Sequence, residues 1–475
     1  MVKLMVGGRD VETARSFTVV NPFDSSKIDA VGLADSAQVD QALEIADKAR
    51  GRISQLTRHE RQSILHQVSA RLLEAKEELA LTLAKEAGKT LKEARGEVER
   101  ASSTFAFAGD EAKRLAGEVI PFDSVPNGAS RRGFSLKVPI GTVIAITPFN
   151  FPLNLAAHKV APAIAAANPF ILKPASQTPL TDMHLGRIIR DAGFPPEGIS
   201  VLTGPGSTVG MQLVSDARAR MVTFTGSAEV GKQIAGNAGF KKMAMELGAN
   251  SAVVVADSAD VEFACRRIVQ GGFALAGQVC ISVQRVLVHR SLFDDVVGRV
   301  VELAGALKVG DQLDETTDMG PMISEAAAQR LEQWMKQAVD RGAQIRLGGT
   351  RKGSLFSATV ATEVPTDARI WKEEAFGPVV CVNPYRDFAE AVEAVNQSRY
   401  GLQAGVFTNS VEEAFCAIEQ IDVGGVIVND VPTYRVDHMP YGGVKDSGMG
   451  REGLKYAIAE MTEEKLVCFN FWRPE

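Results

Sequence analysis

Apolar positions in this chain follow two rhythms. From Ser36 onward Val39, Ala42, Ile45, Ala46 and Ala49 recur at helical spacing, the stripe a helix turns towards a core. Helices rich in Ala, Leu, Glu, Lys and Arg, interrupted near Gly88, carry this pattern to about Gly117, with most of their charges on a solvated face. Before them, residues 1–35 read as short strands and turns, punctuated at Asn21-Pro22. After them, residues 118–140 leave the helical rhythm at Pro121, Pro126 and Gly128 and close on the strand-like Phe134–Pro139, which predicts an extended arm.

The second rhythm is the unbroken apolar run. Gly141–Phe149, Phe170–Lys173, Ile199–Thr203 and Met221–Thr225 are such runs, separated by helical patterns over Leu153–Ala167, Thr178–Ala192 and Ser207–Ser215. Strands that do not alternate are buried on both faces, and helical crossovers between them predict a parallel, doubly wound sheet. Ligands of such sheets bind beyond the carboxyl ends of the strands. Those ends here are Pro148–Asn150, Lys173–Ser176, Gly204–Gly206 and Gly226-Ser227.

A second series follows, with strands at Ala252–Ala256, Arg285–His289, Val379–Val382, Ala404–Phe407 and Gly425–Val428, and helices at Val261–Phe273, Phe388–Gln397 and Val411–Gln420. The fold class is therefore α/β, two doubly wound domains with a small β arm. Lys465–Phe469 in the tail is expected to pair with that arm.

Composition narrows the function without naming it. The chain has 475 residues, 45% hydrophobic and 23% charged, with a net charge of −6 and scattered basic residues. That excludes the basic footprint of a nucleic-acid binder, and no apolar span is long enough for a membrane. Five cysteines lie far apart without a CxxC or Cys/His cluster, which argues against a disulfide framework or a metal site. The expected location is the cytoplasm.

Chemistry concentrates in a few positions. Cys280 follows a small turn, Ala276-Gly277, at a helix-to-loop junction where backbone N–H groups stabilise a thiolate. Glu246 sits among apolar neighbours, where burial raises a carboxyl pKa and suits it to accept a proton near neutrality. Asn150, between a strand end and Pro152, has an amide that can meet a developing oxyanion. Gly226-Ser227 opens a helix after a strand, a phosphate-binding setting, and Lys173 ends another strand. Each has a plainer reading as a core, turn or solvated residue. No GxGxxG fingerprint is present, since Gly204–Gly210 has one residue too many.

The order of the motifs carries more than any one of them. PFNFP at 148–152, KPASQTP at 173–179, FTGSAEVG at 224–231, MELG at 245–248, GQVC at 277–280, EEAFGPV at 373–379 and YGGVKDSGMGREG at 441–453 together resemble the aldehyde dehydrogenase superfamily over essentially the whole chain. The resemblance implies a Rossmann-like cofactor domain (1–117 and 138–246), a catalytic domain (247–440) and an oligomerisation arm (118–137 and 441–475). It implies Cys280 as nucleophile, Asn150 as oxyanion donor and Glu246 as the base that hydrolyses a thioester. It assigns Thr147, Pro148, Phe149, Lys173, Ser176, Gly206, Gly226, Ser227, Leu247, Glu374 and Phe376 to NADP or NAD. A homodimer or homotetramer is expected, and no metal.

Departures from the family pattern bear on specificity. Phe149 stands where many relatives have a Trp whose N–H reaches phosphate. Ser176 stands where NAD-selective relatives have Glu, so a 2′-phosphate is tolerated and NADP use is expected. Val279 replaces the Arg that precedes the nucleophile in the glyceraldehyde-3-phosphate branch. The GQVCIS and RVDHMPYGG runs look most like the branch handling lactaldehyde and similar small polar aldehydes. Arg100, His158, Ser282, Arg435 and His438 are the candidates for gripping the substrate. The alternatives are a semialdehyde or non-phosphorylating glyceraldehyde-3-phosphate dehydrogenase, and, from other classes, coenzyme A acylation or a non-catalytic relative.

Overall fold

The computed structural model describes residues 1–471. Helix α1 (Leu91–Arg114) starts at Thr90, which exchanges hydrogen bonds with Glu93 in a capping box. It buries Ala94, Val98, Ala101, Phe105 and Ala108, the face that packs on the next domain element.

That element is a parallel sheet of β1 (Val143–Ile146), β2 (Phe170–Lys173), β3 (Ile199–Val201), β4 (Met221–Thr225) and β5 (Lys242–Glu246), in spatial order 3-2-1-4-5. Leu4–Val6 and Arg9–Val11 extend the β3 edge, and Gly448–Met449 runs antiparallel to β5. The strand order reverses at β1. The loops leaving β1 and β4, Thr147–Asn150 and Gly226-Ser227, therefore diverge and open a crevice. Helix α2 (Pro152–Ala165) links β1 to β2 and is buried along its whole length. Its first N–H groups, on Leu153 and Asn154, both donate to Glu97 of α1 at 3.0 Å. Helix α3 (Pro179–Asp191) follows β2, and α4 (Ala228–Ala238) follows β4.

The second sheet contains β6 (Ala252–Val255), β7 (Arg285–His289), β8 (Thr359–Thr362), β9 (Val379–Tyr385), β10 (Gln403–Phe407) and β11 (Gly425–Val428), all parallel in order 8-9-7-6-10-11. Helix α5 (Val261–Phe273) connects β6 towards β7. Each sheet has its own apolar core. The two sheets use opposite ends. The first turns its carboxyl ends to the crevice, as the pattern predicts, whereas the second turns its amino ends, because the loops preceding β7 and β9 carry Cys280 and Glu374.

The arm is a sheet of Val119–Ile120, Arg131–Pro139 and Thr462–Asn470. Lys465 pairs with Leu136 and Phe469 with Arg132, the expected partnership. Residues 441–461 do not belong to it. Gly448–Met449 joins β5, and α6 (Leu454–Glu460) packs on α1 and α2. The last residues of the expected arm, 472–475, lie outside the described residues. Among the described residues no helix is long and apolar enough to cross a membrane, no His/Cys/Asp/Glu group could hold a metal, and all five cysteines are free.

Candidate active site

The cysteine is presented by an unusual turn. After α5, Leu275, Ala276 and Gly277 all take positive φ (49°, 50° and 69°). A Cβ on Gly277 would stand 2.1 Å from the Gly377 carbonyl oxygen, so the close approach needs glycine. The turn is held from outside by Glu93, whose Oε1 accepts the Leu275 N–H at 2.6 Å. It is held from inside by Gln278, which donates to the Leu275 carbonyl (3.1 Å) and accepts the Ile323 N–H (2.8 Å). Cys280 emerges partly buried, with Sγ 3.0 Å from the Tyr441 hydroxyl. Burial pushes its thiol up to about 11, opposed by that hydrogen bond.

Asn150 is buried beside the turn and donates one amide N–H to the Gln278 carbonyl at 2.9 Å. A primary amide has a second N–H, which remains for an oxyanion. Glu246, the last residue of β5, is buried with neither carboxylate oxygen hydrogen-bonded. Burial and the nearby charge of Glu452 hold its carboxyl well above the usual carboxylate range. Cys280, Asn150 and Glu246 all line one cleft of about 990 Å³.

Every residue carried over as a nucleotide contact lines this same cleft. Lys173 is buried with its ammonium lowered to about 8 by desolvation, and exposed Ser176 lies nearby in sequence. Ser227 caps α4 by accepting the Val230 N–H, leaving a helix N-terminus at the crevice. Gln284 clamps the loop that carries Glu374, donating to the Ile370 and Glu373 carbonyls and accepting from Ala375. Glu374 takes only the Ala249 N–H, at 3.2 Å, and burial raises it to about 7. Gly248 makes room for it, since a Cβ there would meet Glu374 Oε2 at 2.2 Å. Phe149, lacking an N–H, packs edge-on against Phe376 at 5.6 Å. A carboxylate with free acceptor positions for ribose hydroxyls, a helix N-terminus for pyrophosphate and a lysine at the far end fit a dinucleotide.

None of the five substrate candidates lines that cleft. Instead Asp437 gathers three of the surrounding side chains: Arg100 at 2.8 and 3.3 Å, buried His158 at 3.0 Å and Asn154 at 3.1 Å. Against the cost of burial, His158 and Arg100 hold Asp437 well below the usual carboxylate range. Arg100 also lines a second cavity of about 460 Å³, shared with Lys89, Phe151 and Leu275 of the cysteine turn. The Arg435 side chain is 8% exposed, paired with Glu452 at 2.8 Å and stacked on the Tyr441 ring at 3.8 Å. Lys159 grips the same Glu452 at 3.0 Å and also donates to Thr225. His438 is exposed against Phe107, and the Ser282 hydroxyl donates back to the Gly271 and Gly272 carbonyls. Sequence reasoning missed Tyr441, Asp437, Lys159, Glu452 and Glu93. For Lys159 a signal existed, a lysine inside the mostly apolar, small-residue helix α2.

Residues 9–467 match the family model described as "Aldehyde dehydrogenase family", and the chain belongs to that family. It is 45% identical over 467 residues to the 3-sulfolactaldehyde dehydrogenase of Priestia aryabhattai, covering 98% of both chains. Among solved structures it matches aldehyde dehydrogenase 21 from Physcomitrella patens, in complex with the reaction product succinate, with a TM-score of 0.96 and 42% identity over 99% of this chain and 98% of that one. It also matches the glyceraldehyde-3-phosphate dehydrogenase GapN from Methanocaldococcus jannaschii, complexed with NADP, with a TM-score of 0.93 and 39% identity over 96% of this chain and all (100%) of that one. The protein is an oxidoreductase that oxidises small aldehydes with NAD(P).

Proposed function

We propose that this enzyme oxidises a small lactaldehyde-like aldehyde carrying an anionic group, a sulfonate or carboxylate, to the corresponding acid. The observation that carries the mechanism is the convergence of Cys280, Asn150 and the unpartnered Glu246 on the nucleotide cleft. The Cys280 thiolate adds to the aldehyde carbon, and the Asn150 side-chain N–H and Cys280 backbone N–H hold the resulting alkoxide. When bound, NAD(P) supplies the hydride acceptor, at the end of the cleft that Glu374 and Phe376 line. Oxidation leaves the acyl group on Cys280 as a thioester. Glu246 takes a proton from water, whose oxygen attacks the thioester carbonyl. The C–S bond breaks, the acid departs and the thiolate returns. Glu246 is what favours hydrolysis over transfer to coenzyme A.

The anionic substrate is supported by Arg100 at the second cavity beside the cysteine turn, and by the relatives named for a sulfonated lactaldehyde and solved with a dicarboxylate. NADP use is supported by Lys173 and by Ala175, Ser176, Gln177, Gly206 and Ser207, a cleft end without a carboxylate to repel a 2′-phosphate. One experiment tests all three points: nicotinamide reduction over sulfolactaldehyde, lactaldehyde, succinate semialdehyde, glyceraldehyde 3-phosphate and benzaldehyde, each with NAD and NADP, for the native enzyme and Cys280→Ser. The expected result is preference for the anionic aldehydes, turnover with NADP, and loss of at least about 10³-fold in Cys280→Ser. Preference for benzaldehyde, or no turnover with NADP, would overturn the corresponding point.

The reading includes a homo-oligomer in the cytoplasm. Val119, Leu466 and Phe469 of the arm expose apolar surface on a three-stranded sheet with open edges, which a second copy would cover. Light scattering that finds a monomer would refute it. The free cysteines fit a reducing compartment, and recovery of the enzyme from a non-cytoplasmic fraction would refute that assignment.

A further inference from the structure

Tyr441 is buried at the head of the glycine-rich run, and both faces of its setting are fixed by other parts of the chain. Its backbone exchanges hydrogen bonds with Glu452, N–H to carbonyl at 3.1 Å one way and 2.7 Å the other. The guanidinium of Arg435 lies 3.8 Å from its ring centroid and is itself tied to Glu452 at 2.8 Å, with Lys159 on the opposite oxygen of that carboxylate. The ring therefore has little freedom to turn. Its hydroxyl has one hydrogen-bonding neighbour among the described residues, the Cys280 sulfur at 3.0 Å, which in turn has no other.

A buried phenol O–H needs an acceptor, and a buried thiolate needs a donor. Each group is the other's partner. A cation on the ring face also draws electron density from the phenol and favours donation over acceptance. We propose that Tyr441 is a catalytic residue of this enzyme: its hydroxyl donates a hydrogen bond to the Cys280 thiolate and so sets the fraction of sulfur that is nucleophilic at neutral pH. This rests on the assignment of Cys280 as the nucleophile. No bond to carbon is made or broken in this step. The thiol proton leaves to solvent, the phenol keeps its own proton, and the charge left on sulfur is shared along the O–H···S contact. When the sulfur carries the acyl group, the phenol loses its acceptor, so the contact favours the free thiolate over the thioester and assists release of the acid.

The same position filled by phenylalanine would keep the ring, the stack on Arg435 and the backbone bridge, and remove only the donor. The test is the pH dependence of Cys280 alkylation by iodoacetamide, followed by mass spectrometry of the Cys280 peptide, in the native enzyme and in Tyr441→Phe. Neither aldehyde nor nucleotide is needed, so the result stands even if no aldehyde is turned over. Absence of turnover on every aldehyde offered, with the alkylation difference intact, would overturn the proposed substrate class and leave the Tyr441–Cys280 contact standing. The midpoint is expected to move up by about 1–2 pH units in Tyr441→Phe, the size of a hydrogen bond to a charged group. Among the kinetic constants, kcat/KM at neutral pH should fall and recover as pH rises. A midpoint that stays in place or moves down, in a variant with unchanged circular dichroism, would overturn the proposal.

Discussion

Glu246 ends an apolar strand with both oxygens unpartnered, and burial holds its carboxyl well above the usual carboxylate range. A base acts only when it has lost its proton, so a turnover limited by thioester hydrolysis should climb with pH through a midpoint above that of an ordinary carboxylate. Glu246→Gln should remove this limb and slow steady-state turnover by about 10²–10⁴-fold, while a single burst of nicotinamide reduction survives. Stopped-flow absorbance separates the two. At this scale the sequence made legible which side chains meet: Cys280, Asn150 and Glu246, singled out by the order of their motifs, line one cleft. Tyr441 was not legible, because an aromatic before two glycines reads equally as packing. Arg435 and His158 read as substrate ligands because their charges are visible in sequence, whereas the carboxylates that hold them, Glu452 and Asp437, are 17 and 279 residues away respectively.

Strands and crossovers were legible for a physical reason. A strand covered on both faces, such as Met221–Thr225, keeps its apolar run nearly unbroken, and that strand, the edge strand Gly425–Val428 and the helices Val261–Phe273 and Val411–Gln420 occur with the bounds the pattern predicts. The cysteine turn was not, since nothing in the propensities of Leu275 or Ala276 foretells positive φ. That conformation is imposed by partners, above all by Glu93, which closes the capping box of α1 with one oxygen and holds Leu275 with the other. Glu93→Ala should therefore do two things at once. Losing the cap should cost about 1 kcal/mol of stability, read by denaturant unfolding. Freeing the turn should lower kcat more than it raises KM, read by steady-state kinetics, because Cys280 is displaced rather than removed.

Two sheets meeting end to end, carboxyl edge against amino edge, make a cleft whose walls come from different domains, and its carboxylates are left short of partners. Burial raises Glu374 to about 7 from the ordinary glutamate value of 4.5. The folded state then binds more protons than the unfolded one between those values, so stability falls as pH rises through that window. The native enzyme should lose stability relative to Glu374→Gln as pH rises between about 4.5 and 7, by on the order of 1 kcal/mol given its partial solvent screening, read as a falling melting temperature. Calorimetry at several pH values checks the sign. The arm was legible as an interruption of helical rhythm, but its boundary with the Gly448–Met449 strand was not, because that strand is too short to carry a pattern. The position of Tyr441 along the chain has a consequence for synthesis. It lies 161 residues beyond the cysteine it contacts, and Glu452 lies farther still. A growing polypeptide thus exposes its Cys280 thiol long before the phenol that would engage it has left the ribosome. Reactivity is withheld until synthesis has passed Tyr441, and fragments released before it would carry the nucleophile without the means to use it.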